Sequence, residues 1–159
     1  MEKALGYARD ALSLGEFPVG CVIELEGKVI ATGNRKSTRQ KSNEIDHAEI
    51  LALRNLLENS IDVDLGDVTV YSTMEPCLMC FSTLIVNGVT KFVYGYEDAM
   101  GGGTNLPLDQ LAPLYRDIQV RIEGGVLRKD CLELFKTFFS KTDSTYLKDT
   151  YLAQYTLQQ

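Results

Sequence analysis

The sequence has no long apolar run. Its apolar stretches are short, such as Leu-Ile-Val at residues 84–86, whereas a helix that crosses a bilayer needs about 20 consecutive apolar residues. The N-terminus, MEKALGYARD, is charged and amphipathic, and it has no apolar core before a small-residue cleavage site. We therefore expect neither a membrane-spanning segment nor a secretory signal, and a cytoplasmic location follows as the default.

An excess of basic residues is also missing. The chain has 16 Lys and Arg residues against 22 Asp and Glu residues, which gives a net charge of −6. Non-specific binding to nucleic acid depends on the neutralisation of phosphates by basic side chains. The charge balance therefore disfavours such binding, although it is compatible with a local basic patch.

Internal repeats, low-complexity tracts and interdomain linkers are absent as well. A chain of 159 residues is long enough to bury a core, so we expect a single domain over residues 1–159. Residues 140–159 are polar and allow two interpretations. They form either a loosely attached tail or a docked helix, on which Leu147, Tyr151 and Tyr155 recur every four residues.

Helical and strand-like patterns alternate along the chain. The predicted helices cover residues 1–14, 47–57, 77–86 and 127–139, with a short helix after a loop at 101–107, and the predicted strands cover residues 19–25, 28–32, 67–72, 91–94 and 118–122. Asp46 is the predicted N-cap of the second helix. This alternation predicts an α/β layered fold.

Cysteine and histidine are scarce, with four residues and one residue respectively. Cys21 lies in an apolar run and Cys131 in a helical one, so we expect both to be small core residues. Cys77 and Cys80 stand three positions apart in MEPCLMC, residues 74–80. In a reducing compartment this pair is typical of metal or redox chemistry. Alone, it fits a redox pair, a structural zinc knuckle or part of a catalytic metal site.

The single histidine, His47, supplies a possible third ligand. It heads one predicted helix, the two cysteines head another, and both helices follow loops after strands, where an α/β sheet places its ligand crevice. Two thiolates and an imidazole are good zinc ligands, and three protein ligands leave one tetrahedral position for water. The sequence therefore predicts one catalytic Zn²⁺ per chain, held by His47, Cys77 and Cys80.

Glu49 completes the pattern. HAE at residues 47–49 is separated by 26 residues from PCLMC at 76–80. From its helical offset Glu49 cannot easily bind the same metal as His47, but it can overhang it and move protons between water and a leaving amine. A redox pair would need a thioredoxin-like context and a structural zinc a fourth ligand, and neither is visible.

These residues resemble the cytidine deaminase-like superfamily and, within it, the bacterial tRNA adenosine deaminases, which convert the wobble adenosine to inosine. The resemblance runs from about residue 3 to about residue 139, through EFPVGCVI at 16–23, GNR at 33–35, HAEILALR at 47–54, EPCLMC at 75–80, VYG at 93–95 and GVLRKDCLELFKTFF at 125–139. It implies a three-layer α/β/α sandwich with a five-stranded mixed sheet, and a homodimer.

The resemblance also implies a reaction and its contacts. A hydrolase of this family replaces the exocyclic amine of a nucleobase with a carbonyl and releases ammonia, with Glu49 as the proton shuttle. The implied substrate contacts are Asn34, Ala48, Phe17, Met74, Pro76 and Asp98. Among these, ordinary core packing explains Phe17 and Met74 equally well.

Some positions depart from the tRNA enzymes. Met100 stands where those enzymes usually carry a lysine, and Ser140 follows the final FF where they commonly carry an arginine. Both changes remove phosphate contacts, which dominate affinity for RNA. One segment favours binding of RNA or another phosphate-bearing ligand. It is a basic loop that either is merely solvated or binds a phosphate through Arg35, Lys36, Arg39 and Lys41.

Three functions therefore stand at this point. The first is a tRNA adenosine deaminase, supported by the order of the motifs along the chain. The second is a deaminase of a free base or nucleoside, such as guanine, cytosine or adenosine, supported by the missing basic residues. The third is a catalytically silent zinc-binding module, which the intact Glu49 disfavours. We favour the first, because motif order is a stronger argument than likeness of fold.

Overall fold

The computed structural model describes residues 1–36, 38, 43–59, 63–141 and 145–159. The helices are α1 (Glu2–Ser13), α2 (Ala48–Glu58), α3 (Leu78–Val86), α4 (Pro113–Arg116), α5 (Arg128–Phe139) and α6 (Tyr151–Gln158), with one 3₁₀ turn at Leu108–Gln110. The strands are β1 (Gly20–Leu25), β2 (Lys28–Asn34), β3 (Thr69–Met74), β4 (Lys91–Tyr96) and β5 (Arg121–Glu123). None of the helices in these ranges is both long and apolar enough to cross a membrane.

The strands form one mixed sheet in the order β2-β1-β3-β4-β5. Strand β1 runs antiparallel to β2 and to β3, whereas β3, β4 and β5 are parallel. Strands β2, β3 and β4 therefore all point their carboxyl ends toward the same edge of the sheet. In α/β sheets that edge is where ligands bind, and here it receives Asn34, Met74 and Tyr96.

Helices cover both faces of the sheet, as predicted. Helices α1 and α5 pack on one face, and α2 and α3 on the other. Two glycines on the β1–β2 hairpin allow the close approach: a Cβ on Gly20 would collide with the backbone of α1, and a Cβ on Gly33 with the backbone of Ala48 in α2. Because Gly33 pairs with Cys21, the neighbour of Gly20, the two glycines face opposite sides.

An aromatic cluster closes the α5 side of the core beside the ligand edge. The ring of Phe17 lies 5.2–5.8 Å, centroid to centroid, from the rings of Phe135, Phe138, Phe139 and Tyr146. Aromatic rings bury large apolar areas and stabilise one another at these separations. Since Tyr146 belongs to the C-terminal segment, this cluster ties that segment to the loop before β1.

The C-terminal segment is a docked helix from residue 151 onward. Leu152 and Thr156 of α6 are buried, and the Thr156 hydroxyl lies 3.1 Å from the hydroxyl of Tyr96. Thr150 caps the helix, since its side chain accepts a hydrogen bond from the amide of Ala153. Two interpretations of residues 140–159 were open, a loose tail and a docked helix. For Tyr151–Gln158 the structure shows the docked helix.

Some predicted boundaries were wrong. Helix α2 has His47 rather than Asp46 as its N-cap, because the extended backbone of His47 makes Ala48 the first helical residue. Strand β5 begins at Arg121 and not at Ile118, because the amide of Ile118 still bonds back to Tyr115 in the turn after α4. In both cases the apolar pattern found the element but not its first residue.

Candidate active site

Two helix N-termini bring three ligand side chains together. His47 is the N-cap of α2, Cys77 is the N-cap of α3, and Cys80 lies in the first turn of α3. The Nδ1 atom of His47 lies 3.5 Å from the Sγ atom of Cys77 and 3.5 Å from that of Cys80. All three ligand atoms lie within 4.8 Å of one another.

This geometry fits zinc. Zinc binds sulfur at about 2.3 Å and nitrogen at about 2.0 Å, so neighbouring ligand atoms of a tetrahedral site lie about 3.5 Å apart. Among the described residues, no fourth His, Cys, Asp or Glu atom belongs to the group. Three protein ligands leave the fourth tetrahedral position to a small molecule, which is the pattern of a catalytic zinc site.

A carboxylate orients the histidine. The Nε2 atom of His47 lies 3.4 Å from Oε2 of Glu44. The same oxygen accepts hydrogen bonds from Nη2 of Arg35 at 2.9 Å and from the hydroxyl of Tyr146 at 3.0 Å. Partners of this kind fix which ring nitrogen faces a metal, so Glu44 leaves Nδ1 free to bind the ion.

The two site thiols differ in acidity. A hydrogen bond from Cys80 is the main reason that the pKa of Cys77 falls to about 4, and the same bond raises the pKa of Cys80. The other cysteines, Cys21 and Cys131, are buried as predicted, and burial raises the pKa of Cys131 to about 12.

Glu49 lies beside the ligands in an almost water-free position. Its side chain is 3% exposed, its Oε1 accepts a hydrogen bond from Ser72 at 2.8 Å, and its Oε2 lies 3.5 Å from Sγ of Cys80. Burial raises the pKa of Glu49 above its ordinary value. A carboxyl group whose pKa is shifted toward neutrality is suited to both accepting and donating a proton.

A cavity of about 70 Å³ opens onto Glu49 and onto two of the three ligand residues, His47 and Cys77. Its walls are Phe17, Val19, Arg35, His47, Ala48, Glu49, Met74, Glu75, Cys77, Asp98, Met100, Tyr146, Leu147 and Leu152. Four predicted substrate contacts, Phe17, Ala48, Met74 and Asp98, are thus in one place. Asn34 and Pro76 are not among these wall residues. For all six residues, contact with a substrate stays a prediction.

Glu75 fixes the loop that follows β4. Its buried carboxylate accepts hydrogen bonds from the hydroxyl of Thr104 at 2.5 Å and from the amide of Asp98 at 3.2 Å. The amide of Gly103 donates to the carbonyl of Pro76 at 2.9 Å, and a Cβ on Gly103 would collide with the backbone of Leu78. The loop therefore packs directly on the start of α3.

Asp98 uses its carboxylate within that loop. Its Oδ1 accepts from the amides of Met100 at 3.0 Å and Gly101 at 2.8 Å. Burial raises the pKa of Asp98, while these two hydrogen bonds oppose the rise. The structural role of Glu75 was not predicted from the sequence. The only indication there is its position directly before Pro76 and Cys77.

Arg35 was predicted as a phosphate contact, but the structure places it inside the protein. It is 2% exposed, and its guanidinium already donates to the carbonyl of Asn43 at 2.8 Å and to Glu44. A phosphate would have to displace both partners, so Arg35 is part of the site's framework and no free phosphate contact. Lys36 is exposed, and the other two basic residues of the predicted patch, Arg39 and Lys41, lie outside the described residues.

The fold and the site together define a class. A mixed α/β sheet that holds a His-Cys-Cys metal group beside a buried glutamate, at the carboxyl ends of its strands, has the parts of a zinc-dependent deaminase. The chain belongs to the family described as the cytidine and deoxycytidylate deaminase zinc-binding region, whose match covers residues 1–96.

Similar proteins agree with this assignment. The tRNA-specific adenosine deaminase of Streptococcus pyogenes serotype M18 is 32% identical over 140 residues, which cover 87% of this chain and 87% of the relative. The enzyme of the same description from Bacillus subtilis is 32% identical over 140 residues, 87% of this chain and 86% of the relative. A solved structure from a study of A-to-I editing by tRNA:A34 deaminases superimposes with a TM-score of 0.69 at 29% identity, covering 84% of this chain and 96% of that one.

Proposed function

We propose that this protein deaminates adenosine to inosine by hydrolysis and that its substrate is an adenosine in tRNA. One observation carries the chemistry: the buried carboxyl of Glu49 lies 3.5 Å from the sulfur of Cys80, and Glu49 lines the same cavity as the other two ligands, His47 and Cys77. The choice of tRNA rests on relatives named tRNA-specific adenosine deaminases, which are 32% identical over most of the chain.

The reaction balances without a further reactant. Water adds to the purine carbon that carries the amine, the carbon–nitrogen bond breaks, ammonia leaves and a carbonyl remains. Bound zinc would supply a Lewis acid that makes water nucleophilic near neutral pH. Glu49 accepts one proton from water and delivers it to the ring nitrogen. It then takes the second proton from the hydroxyl that has been added to the carbon and delivers it to the departing amine, so the two protons of water end on the ring and on ammonia.

Other side chains bind and orient the base. Phe17 and Met74 give the cavity apolar walls that exclude bulk water from the ring. Ala48, the first residue of α2, lines the cavity, and its amide is expected to donate to the reacting base, as the resemblance implies. Asp98 also lines the cavity, and the resemblance places an aspartate at this position near the ribose of the substrate. A base within RNA must leave its stack to enter such a cavity.

An assay of ammonia release together with inosine mapping tests this function. Purified zinc-loaded protein is incubated with tRNA containing a wobble adenosine, and separately with free adenosine, guanine and cytosine. We expect inosine at the wobble position. Ammonia from a free base, with tRNA left unchanged, would contradict the proposed substrate but not the deaminase chemistry.

Deamination of a free base or nucleoside is the second candidate. It is favoured by two observations: Arg35 is buried against Glu44 and does not face solvent, and the C-terminal segment lines the cavity through Tyr146 and Leu152. The net charge of −6 also weakens attraction to RNA. The same assay distinguishes the two candidates.

We also propose a homodimer in the cytoplasm. Large apolar side chains on α2 and α3 are more than half exposed, namely Leu57, Leu78 and Val86, and exposed apolar patches mark association sites. All four cysteines are free thiols, as proteins of reducing compartments usually have.

A further inference from the structure

We infer that the C-terminal segment sets the size of the substrate. The strap, defined as residues 145–158, contributes Tyr146, Leu147 and Leu152 to the cavity that also contains His47 and Glu49. We assign these three side chains as specificity-determining. This inference rests on the proposed deaminase function and names the feature that decides between a nucleoside and a base within RNA.

With the strap seated, the cavity is small. Its volume is about 70 Å³, whereas pockets for drug-sized ligands usually measure about 300–1,000 Å³. Nucleotides that flank a bound base would meet Tyr146, Leu147 and Leu152, which form part of the wall of this cavity. A base that remains attached to an RNA chain needs the space that Tyr146 and Leu147 occupy.

The first end of the strap is anchored through Tyr146. Its ring lies 5.4 Å from that of Phe17 and under the guanidinium of Arg35, 5.7 Å from the ring centre. Its hydroxyl donates to Glu44, the carboxylate that also contacts His47. Seating the strap therefore adds a hydrogen bond to the group that orients a metal ligand.

The second end is anchored through α6. Leu152 is 1% exposed, and the Tyr155 hydroxyl donates to Glu97 at 2.8 Å. Glu97 is in turn held by Arg128, which also donates to the side chain of Gln159 at 3.0 Å. Thr156 of the same helix is also buried, and its hydroxyl lies 3.1 Å from that of Tyr96. These contacts all belong to one short helix.

The strap has an accessible released state. Helix α6 has eight residues, and isolated helices shorter than about 12–15 residues are marginal in water. Once Leu152 leaves its site, the helix loses the packing that keeps it folded. Binding of an RNA-borne base and seating of the strap are therefore mutually exclusive, whereas a nucleoside needs far less displacement.

A pair of leucine variants tests this. Leu152→Ala removes a buried wall of the cavity, and Leu157→Ala makes the same change at a site on α6 that is 50% exposed. For each, kcat/KM is measured with adenosine and with an RNA hairpin whose loop carries one adenosine. We expect the RNA-to-adenosine ratio to rise about tenfold or more in Leu152→Ala, the scale of one lost buried side chain, and to stay within about twofold in Leu157→Ala.

A second pair of variants, with smaller changes, tests the inference even if Leu152→Ala does not fold. Tyr155→Phe removes only the hydroxyl bonded to Glu97, and Tyr151→Phe makes the same change at an exposed position. We expect the RNA-to-adenosine ratio of kcat/KM to rise in Tyr155→Phe and not in Tyr151→Phe. A ratio that is unchanged or lower in both Leu152→Ala and Tyr155→Phe, with zinc content intact, overturns the inference.

Hydrogen exchange supplies a readout that does not depend on turnover. Saturating RNA hairpin should increase amide exchange in residues 151–158, and adenosine should not. Protection of this helix by RNA, or no change, contradicts the inference.

The rate of zinc removal tests the inference without any substrate. A chelator should remove zinc faster from Leu152→Ala than from Leu157→Ala, because the strap covers the cavity that leads to the ligands. Equal rates contradict the inference. Absence of deamination with every substrate, together with faster zinc loss from Leu152→Ala, would instead reject the proposed function and leave the strap as the cover of the site.

Discussion

At the scale of single residues, the proposed function assigns metal binding and proton transfer to different side chains. His47, Cys77 and Cys80 point three donor atoms at one position, while Glu49 lies beside them, buried and bonded to Ser72. A carboxylate in such a place could serve as a fourth ligand or as a proton carrier. The two roles predict different results when its charge is removed.

Glu49→Gln preserves the shape of the side chain and removes its ability to carry a proton. We expect kcat to fall by about 10²–10⁴-fold, the usual contribution of a general acid–base group, with about one zinc retained per chain. Ammonia release and metal analysis measure the two quantities. Glu58→Gln, at the exposed end of the same helix, is the control. Loss of zinc from Glu49→Gln would mean that Glu49 is a ligand.

Cysteine reactivity after zinc removal tests the acidity of the two site thiols. Cys77 is half-buried with a pKa near 4, whereas Cys21, Cys80 and Cys131 are fully buried. In zinc-free protein we expect one thiol to react rapidly with iodoacetamide, at a similar rate at about pH 6 and pH 8, since Cys77 stays ionised over that range. Peptide mass spectrometry identifies the modified residue. Rapid modification of Cys21 or Cys131 in folded protein would contradict this packing.

The ligand set could be predicted from the sequence because metal chemistry constrains residue type and spacing together. The burial of Arg35 could not be predicted, because a basic residue in a polar stretch gives no indication that Glu44 and Tyr146 will cover it. Its partner Tyr146 lies 111 positions away along the chain. Contacts at that separation depend on the complete fold.

At the scale of secondary-structure elements, the start of α2 must lie close to β2. His47 caps that helix, and the close approach occurs where Gly33 meets the backbone of Ala48. The sheet thereby sets the position of a metal ligand. A side chain at this glycine would push the ligand away from the two cysteines.

Gly33→Ala should therefore be costly. We expect it to destabilise the fold by about 1–3 kcal/mol, as overpacking does, and to weaken zinc binding. Gly6→Ala is a matched control on α1, where a Cβ would meet nothing within 4 Å and helix propensity should stabilise by about 0.5–1 kcal/mol. Denaturant unfolding and zinc titration measure both. Equal stability and zinc affinity in the two variants would show that the approach is looser than the structure has it.

Elements with strong periodicity were predicted well, and weakly patterned ones were not. Helices α1, α3 and α5 begin and end within a residue or two of the predictions, because each buries one apolar stripe. Strand β5 has only three residues, all exposed, so its sequence contained little signal. Helix α6 had a four-residue period but no feature that showed where it docks.

At the scale of the whole molecule, the exposed apolar side chains on α2 and α3 are the surface to which the homodimer proposal assigns the interface. Val86 is 60% exposed and Leu78 is 54% exposed. If this surface forms the proposed homodimer, a charge placed in it should separate the subunits. Val86→Glu is expected to shift the mass in light scattering from that of two chains to that of one. Leu114→Glu changes an exposed leucine of α4 and should not. A wild-type protein that is monomeric at high concentration would contradict the proposal.

The central claim is a zinc ion held by two sulfurs and one imidazole, with its last position left to a non-protein ligand. Zinc X-ray absorption on the purified protein measures this directly. We predict two sulfur ligands at about 2.3 Å and two nitrogen or oxygen ligands at about 2.0 Å, with the signature of a single imidazole. A shell of four sulfurs, or a protein that binds no zinc, would contradict the account.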